Sequence, residues 1–179
     1  MLSESSRQHK TEAPKQLGFV VVTCSTSRFT RKKEGRGIED TSGDLIVRKL
    51  IEHDHRVITR VLVSDETEMI KKALAEALED ENAAAVIFCG GTGITAKDIT
   101  IETVTPLLTK ILPGFGELFR QLSYESIGSA AILSRALAGV ARGKAVFCIP
   151  GSIDAARLCL DTLILPEAGH IVKHSREMP

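Results

Sequence analysis

The sequence predicts an α/β fold, a three-layer sandwich with a mostly parallel central sheet and helices on both faces. Three observations carry this. Short apolar runs at residues 17–23, 84–89 and 144–149 lack polar alternation, as strands covered on both faces require. From residue 17 to 89 such runs alternate with segments of helical spacing, giving the β-α-β-α-β order that makes strands parallel. Two runs stop at glycine-bearing turns, Gly90-Gly91-Thr92-Gly93 and Pro150-Gly151-Ser152, where open sheets of this kind bind ligands.

The 179 residues suffice for one domain with a substantial core. Residues 1–15 are polar and aperiodic and read as a flexible tail, residues 16–166 as a single domain, and residues 167–179 as a polar C-terminal tail. The first strand, residues 17–23, is rich in β-branched side chains and ends in Cys24-Ser25-Thr26-Ser27-Arg28. The charged stretch 29–41, with Gly35 and Gly37, reads as a loop that orders on binding. A helix starts at Thr41 or Ser42 and runs to about residue 52, with Leu45, Ile46, Lys49 and Leu50 at helical spacing. Residues 57–63 make the second strand, and an amphipathic helix follows from Met69 to about residue 80. After the third strand and its glycine turn, Thr95 caps a helix with Asp98 three residues on, and that helix runs from about 98 to 108. Pro113-Gly114 interrupts it, and Phe115, Leu118, Phe119 and Leu122 mark another helix that ends near residue 124. Residues 127–141 are mixed, a short helix or strand followed by a strand near 136–141, and the strand at 144–149 leads into a closing helix over 152–164.

The 23 basic and 23 acidic residues cancel, so charge favours neither nucleic acid nor an anionic membrane, and a small molecule is the expected partner. No apolar run approaches the ~20 residues of a membrane span, and residues 1–10 lack a hydrophobic signal region, so the expectation is a cytoplasmic protein. Cys24, Cys89, Cys148 and Cys159 form no CxxC pair and read as reduced core thiols. His53, His55, His170 and His174 give no metal-ligand spacing on one helical face and read as surface residues.

At the carboxyl ends of the strands the chain offers Ser25 and Thr26, then Asp65, then Gly90 to Asp98, then Gly151-Ser152. Glycines allow close backbone approach and helix-start amides carry partial positive charge, so these turns suit an anion. Two carboxylates, Asp65 and Asp98, beside a bound polyphosphate suit Mg2+. Each residue also has a structural reading. Asp65 with Glu68 resembles a capping box, Asp98 belongs to a helix start, and Ser152 is a good N-cap. Arg31, Lys32, Lys33 and Arg36 form a basic loop, either solvated or folded over phosphates. The glycine turn is not a Walker loop, because Thr95 or Ala96 stands where the second glycine is needed. Residues 91–96 match the looser dinucleotide fingerprint, but no second strand ending in an acidic residue follows.

Read in order, four motifs resemble the molybdenum-cofactor biosynthesis family that includes MoaB, MogA and the gephyrin G domain. They are Gly90-Gly91-Thr92-Gly93 with Asp98, Pro113-Gly114-Phe115-Gly116-Glu117 with Phe119-Arg120, Ile132-Leu133-Ser134-Arg135, and Pro150-Gly151-Ser152. Glu39-Asp40-Thr41-Ser42-Gly43 resembles the MoaB branch, and the resemblance spans about residues 17–165. It implies the MoaB/Mog-type fold and a nucleotidyltransferase, a molybdopterin adenylyltransferase with Mg2+ as cofactor, ATP as co-substrate and molybdopterin as substrate. The adenylylated pterin would then receive molybdate or tungstate. The resemblance implies Asp65 and Asp98 as catalytic and metal-binding residues. It implies substrate contacts from Gly90, Gly91, Thr92, Gly93, Pro150, Gly151 and Ser152, with Ser25 and Ser42. It also implies a homotrimer or homohexamer and a downstream metal-insertion protein as partner. A non-catalytic molybdopterin-binding or scaffold protein of the same fold is the alternative.

Overall fold

Three strands with every residue buried, β1 (Gly18–Cys24), β3 (Ala85–Cys89) and β6 (Lys144–Ile149), lie side by side in the sheet of this computed structural model. The structure describes residues 13–177, so residues 1–12 of the expected N-terminal tail lie outside the described residues. With β2 (Arg56–Val63), β4 (Lys110–Ile111) and β5 (Leu137–Ala141) the sheet has six strands in the order β2-β1-β3-β6-β5-β4. β1 pairs in parallel with β2 and β3, and β3 with β6, whereas β5 and β4 add an antiparallel edge. The chain leaves β1 for one side and returns for the other, which opens a crevice at the carboxyl ends of β1 and β3.

Alternate residues of the central strands feed two cores. Phe19, Val21, Ile87 and Phe147 face one side, Val20, Val86, Phe88 and Val146 the other. The first side is covered by α2 (Thr41–Glu52) through Leu45, Ile46 and Leu50, and by α5 (Pro113–Ile127) through Phe115 and Phe119. The second is covered by α3 (Thr67–Glu79) through Ile70, Ala73, Leu74 and Ala77, and by Val104 of the short α4 (Thr100–Val104). Phe19, Phe88, Phe119 and Phe147 are fully buried, each worth about 1.5–3 kcal/mol of transfer free energy. Lys144 is the one charged residue in these three strands, and its Nζ donates to the carbonyls of Ala77 and Asp80 at the end of α3.

Several expectations are corrected. Residues 26–33, the start of the expected loop, form α1 (Thr26–Lys33), capped by Ser25 and ending in Arg31, Lys32 and Lys33, which complement its dipole. No residue of α1 is buried, so no apolar periodicity announces it. The helix after the glycine turn starts at Thr100 rather than Asp98. Pro113 begins α5 instead of ending its predecessor, a first-turn position that suits proline, and α5 continues to Ile127. The strand β4 went unforeseen because it is two exposed residues long.

Residues 167–176 of the expected C-terminal tail are helical, and residues 178–179 lie outside the described residues. The closing helix α6 (Ile153–Cys159) passes through a π turn at Leu160–Ile164 into α7 (Leu165–Arg176). Pro166 falls where the regular i−4 bonding that a proline disrupts has just been given up. Ala168 and Val172 of α7 are buried in the first core.

Candidate active site

The loops that leave β1, β2, β3 and β6 at their carboxyl ends are tied to one another by named contacts. Asp65, after β2, reaches to the start of α1, where its Oδ2 accepts from Thr26 N and Thr26 Oγ1, both at 2.8 Å. The Thr26 hydroxyl in turn accepts from Asp65 N and from Ser64 Oγ. Asp65 therefore caps α1 from a neighbouring loop. It does not form the expected capping box, since α3 follows Glu66 without a side-chain cap. Its other oxygen, Oδ1, is buried and has no hydrogen-bond partner among the described residues.

Beside that oxygen lies Gly91. A Cβ at Gly91 would stand 2.7 Å from Asp65 Oδ1 and 2.3 Å from Thr100 Oγ1, so any side chain there would force those groups to move. Its φ of +63° is in the left-handed region, which glycine adopts without penalty. Thr100 fixes the turn from the far side, with its hydroxyl on Gly90 O at 2.9 Å and its amide on Gly91 O at 3.0 Å. The first amide of α4 is thus occupied by the turn itself.

Asp98 keeps its half of the capping box expected with Thr95, while the Thr95 hydroxyl turns to the carboxylate instead of a helix amide. Asp98 Oδ2 accepts from Thr95 Oγ1 at 2.6 Å and Thr95 N at 2.9 Å, closing a turn ahead of α4. The Thr95 hydroxyl bond, with the Thr95 and Gly93 amides and Arg135 nearby, outweighs partial burial and holds the Asp98 carboxyl below its usual range. Asp98 is therefore ionised at neutral pH. Arg135 donates through Nε to Thr92 O at 2.9 Å and through both terminal nitrogens to Glu102. The sequence offered it only as the end of Ile132-Leu133-Ser134-Arg135, with no role.

The turn after β6 meets the same place. A Cβ at Gly151 would come within 3.2 Å of Gly90 Cα, and Ser42 Oγ donates to Gly151 O at 2.6 Å. Ser152 is the N-cap of α6. Ser42 is itself set by Asp40, the N-cap of α2, which the sequence gave no role. Asp40 accepts from Thr23 Oγ1 at 2.7 Å, Arg60 Nη2 at 2.8 Å and Gly43 N at 3.2 Å. Burial pushes its carboxyl up, but the bonds from Arg60, Thr23 and Gly43 prevail and hold it below the usual range.

Above these turns opens a cavity of about 790 Å3. Gly90 to Gly93, Asp98, Arg135 and Pro150-Gly151-Ser152 make its polar wall, and Phe119, Ile127, Leu133 and Leu158 an apolar one. Three expected site residues do not line it. Asp65 lies beyond Gly91, and Ser42 holds Gly151 without lining the cavity. Ser25 lines a second cavity of about 660 Å3 with Arg31, and the two cavities share Arg28. The main cavity has the size of a small-molecule site and suits a ligand with an apolar body and an anionic end. Cys24 is no nucleophile, since burial pushes its thiol up to about 12.

The carboxylates flank the glycine turn, Asp65 beside Gly91 and Asp98 beside Gly93, where a Cβ would lie 2.7 Å from Asp98 Oδ2. Among the described residues no group of three or more acidic, histidine or cysteine side chains gathers for a metal. One or two carboxylates completed by ligand phosphates and water is how Mg2+ is usually held, so the residues present fit that ion.

A model of the family described as "Probable molybdopterin binding domain" matches residues 20–170. The chain is 44% identical over 174 residues to molybdenum cofactor biosynthesis protein B of Bacillus subtilis, covering 97% of this chain and 98% of that one. It is 42% identical to the molybdopterin adenylyltransferase of Pyrococcus furiosus, covering 95% and 98%. The crystal structure of the tungsten cofactor synthesizing protein MoaB from Pyrococcus furiosus matches with a TM-score of 0.81 at 41% identity, covering 92% of this chain and 100% of that one.

Proposed function

Since the chain belongs to the probable molybdopterin binding domain family, we propose that it serves molybdenum-cofactor biosynthesis as a molybdopterin adenylyltransferase. The reading rests on one observation, the convergence of the β1, β3 and β6 loops on a single cavity, with Asp65 of the β2 loop behind Gly91. The terminal phosphate of molybdopterin enters at the glycine turn while the pterin body rests on Phe119, Leu133 and their neighbours. A phosphate oxygen attacks the α-phosphorus of ATP, the bond to the bridging oxygen of the β-phosphate breaks, and pyrophosphate leaves with the electron pair. A phosphate monoester is largely deprotonated near neutral pH, its second pKa being about 6, so no general base is needed. The protein's task is alignment and charge stabilisation.

Asp98 presents an ionised carboxylate to the cavity, and the Asp65 oxygen that has no partner among the described residues lies across Gly91. These two residues would hold Mg2+, which when bound neutralises phosphate charge. Arg28, shared by both cavities, is placed for the second substrate. Ser25 contacts that substrate, while Ser42 acts by holding the turn of Gly151. The product passes to a metal-insertion protein.

The free, buried cysteines suit a reducing cytoplasm, and among the described residues no helix is long and apolar enough to cross a membrane. A homotrimer or homohexamer, as the family resemblance implies, would have exposed Ile132, Ile94 and Tyr124, at 82%, 67% and 63%, available for its contacts. Light scattering on purified protein tests this, and a monomer at micromolar concentration refutes it.

Asp98→Asn is expected to abolish AMP transfer while pterin affinity stays within about tenfold, because the amide keeps the turn but loses the charge. Incubation with molybdopterin and radiolabelled Mg-ATP reads this. Wild-type product from the variant removes Asp98 from the mechanism. Pterin binding by the wild-type protein without any pyrophosphate release establishes the scaffold alternative.

A further inference from the structure

Arg135 lies between the 3-10 helix Gly128–Leu133 and β5, on the segment that also carries Leu133 of the apolar wall. Three acceptors hold its guanidinium: Nε donates to Thr92 O at 2.9 Å, Nη1 to Glu102 Oε1 at 2.6 Å and Nη2 to Glu102 Oε2 at 3.2 Å. Neither stability nor anion binding accounts for this arrangement. The Arg135 and Glu102 side chains are 33% and 52% exposed, and an ion pair so open to water contributes little to stability. Glu102 already meets both terminal nitrogens, and Asp98 interacts with the same guanidinium, so one positive charge faces two negative ones. Such a group draws in no phosphate by its charge.

What remains is the bond to the glycine turn. In a planar trans peptide the carbonyl and the following amide point in opposite directions. The Thr92–Gly93 peptide is gripped at both ends, its oxygen by Arg135 and its N–H by the Asp98 carboxylate. Released at the oxygen, it would be free to turn a bare acceptor into the cavity, where a phosphate needs donors. We infer that Arg135 and Glu102 are positioning residues for the reaction proposed above. Glu102 aims the guanidinium, and the guanidinium holds the Thr92–Gly93 peptide with its acceptor oxygen out of the phosphate site. Arg135 also ties the segment of Leu133 to the turn, and so sets the gap that a ligand with an anionic end and an apolar body spans. Three acceptors around one fork require a guanidinium, since an ammonium has the charge but not the geometry. The inference depends on the transferase reading only for the identity of the ligand.

In calorimetric titration of molybdopterin into the full-length protein, Arg135→Lys should weaken binding about tenfold or more, while Tm falls by about 2 °C or less. In AMP transfer the same variant should raise KM for molybdopterin with a smaller loss of kcat, the pattern of lost binding rather than lost chemistry. Glu102→Gln keeps one acceptor and should weaken binding about threefold. The double variant should bind no more weakly than Arg135→Lys alone, because Glu102 acts through Arg135. Amide hydrogen exchange at Gly93 in the ligand-free protein, followed by NMR, should be faster in Arg135→Lys than in the wild type. Arg48→Lys, in an exposed pair with Glu52 on α2, should alter none of these. Unchanged molybdopterin affinity in Arg135→Lys, unchanged Gly93 exchange, or additive losses in the double variant would overturn the role of the pair. Molybdopterin binding without AMP transfer by the wild type would refute the transferase reading alone, because affinity and exchange still report on Arg135 and Glu102. A wild-type protein that binds no molybdopterin would overturn both.

Discussion

Replacing Gly91 by alanine tests whether the glycine turn is held as tightly as its contacts suggest. Two terms add. An L-residue at φ +63° costs about 1–2 kcal/mol in the left-handed region. The new Cβ, 2.3 Å from Thr100 Oγ1, also forces the fully buried Thr100 hydroxyl off Gly90 O, which costs about 1–3 kcal/mol for a broken buried hydrogen bond. The sum is about 2–5 kcal/mol, less than the whole stability of most domains at about 5–15 kcal/mol, so the variant folds. At about 2–4 °C per kcal/mol for a chain of this size, Tm should fall by about 4–20 °C. Gly35→Ala supplies the control, because Gly35 has a φ of +69° with nothing within 4 Å of its Cβ position. It should show the backbone term alone. Urea unfolding of both variants isolates the crowding against Thr100 and Asp65 as a difference of about 1–3 kcal/mol, and calorimetry with Mg-ATP should show weakened binding only for Gly91→Ala. Equal losses of stability in the two variants, or unchanged ligand affinity in Gly91→Ala, would refute the reasoning.

Two further perturbations probe the supports of the rim. Asp40 is held below its ordinary value of 3.8, so its contribution is present above that pH and is lost as pH falls through the lower folded value. Arg60→Met should therefore cost about 1–3 kcal/mol at pH 7, with the gap from wild type closing below about pH 3.8, as read by urea unfolding across pH; a pH-independent gap would discount the ion pair. Burial pushes the thiols of Cys24 and Cys89 up to about 12 and raises Cys148 and Cys159 as well. Iodoacetamide at pH 8 should leave the native protein unlabelled by mass spectrometry and modify four cysteines after denaturation; rapid native labelling would contradict this burial.

The central strands were legible because burial on both faces leaves its mark in composition, and β1, β3 and β6 are wholly apolar apart from Thr23 and Lys144. The loops were legible where glycine and hydroxyl residues follow a strand, which located the turns at residues 90–93 and 150–152. What the sequence concealed had two causes. Helix α1 buries nothing and β4 is two exposed residues long, so neither carries the apolar period on which such readings depend. Helix α7 does carry one, in Leu165, Ala168, Ile171 and Val172 against the first core, but Pro166 at its start reads as a stop. The roles of Asp65, Asp40 and Arg135 were hidden differently. Each acts on a partner 20 to 43 residues away, Arg60 for Asp40, Thr26 for Asp65 and Thr92 for Arg135, and local spacing carries no sign of such pairs.

Asp65 shows why a capping role does not exhaust its meaning. To cap α1, one acceptor oxygen is enough, and serine or asparagine does that as well as aspartate. Asp65 uses Oδ2 for this and leaves Oδ1 buried without a partner among the described residues, an arrangement that costs about 1–3 kcal/mol. The oxygen faces the one residue of the turn whose Cβ position is blocked both by it and by Thr100. A side chain chosen for stability alone would avoid this second oxygen, and a turn built for stability alone would not need a glycine beside it. Both choices become intelligible together if the β3 turn shifts when a phosphate enters and exposes Oδ1 to the cation that accompanies it. On that reading Asp65→Asn keeps the Thr26 bonds and the folded state but loses the charge, so it should impair Mg2+-dependent AMP transfer far more than it lowers Tm.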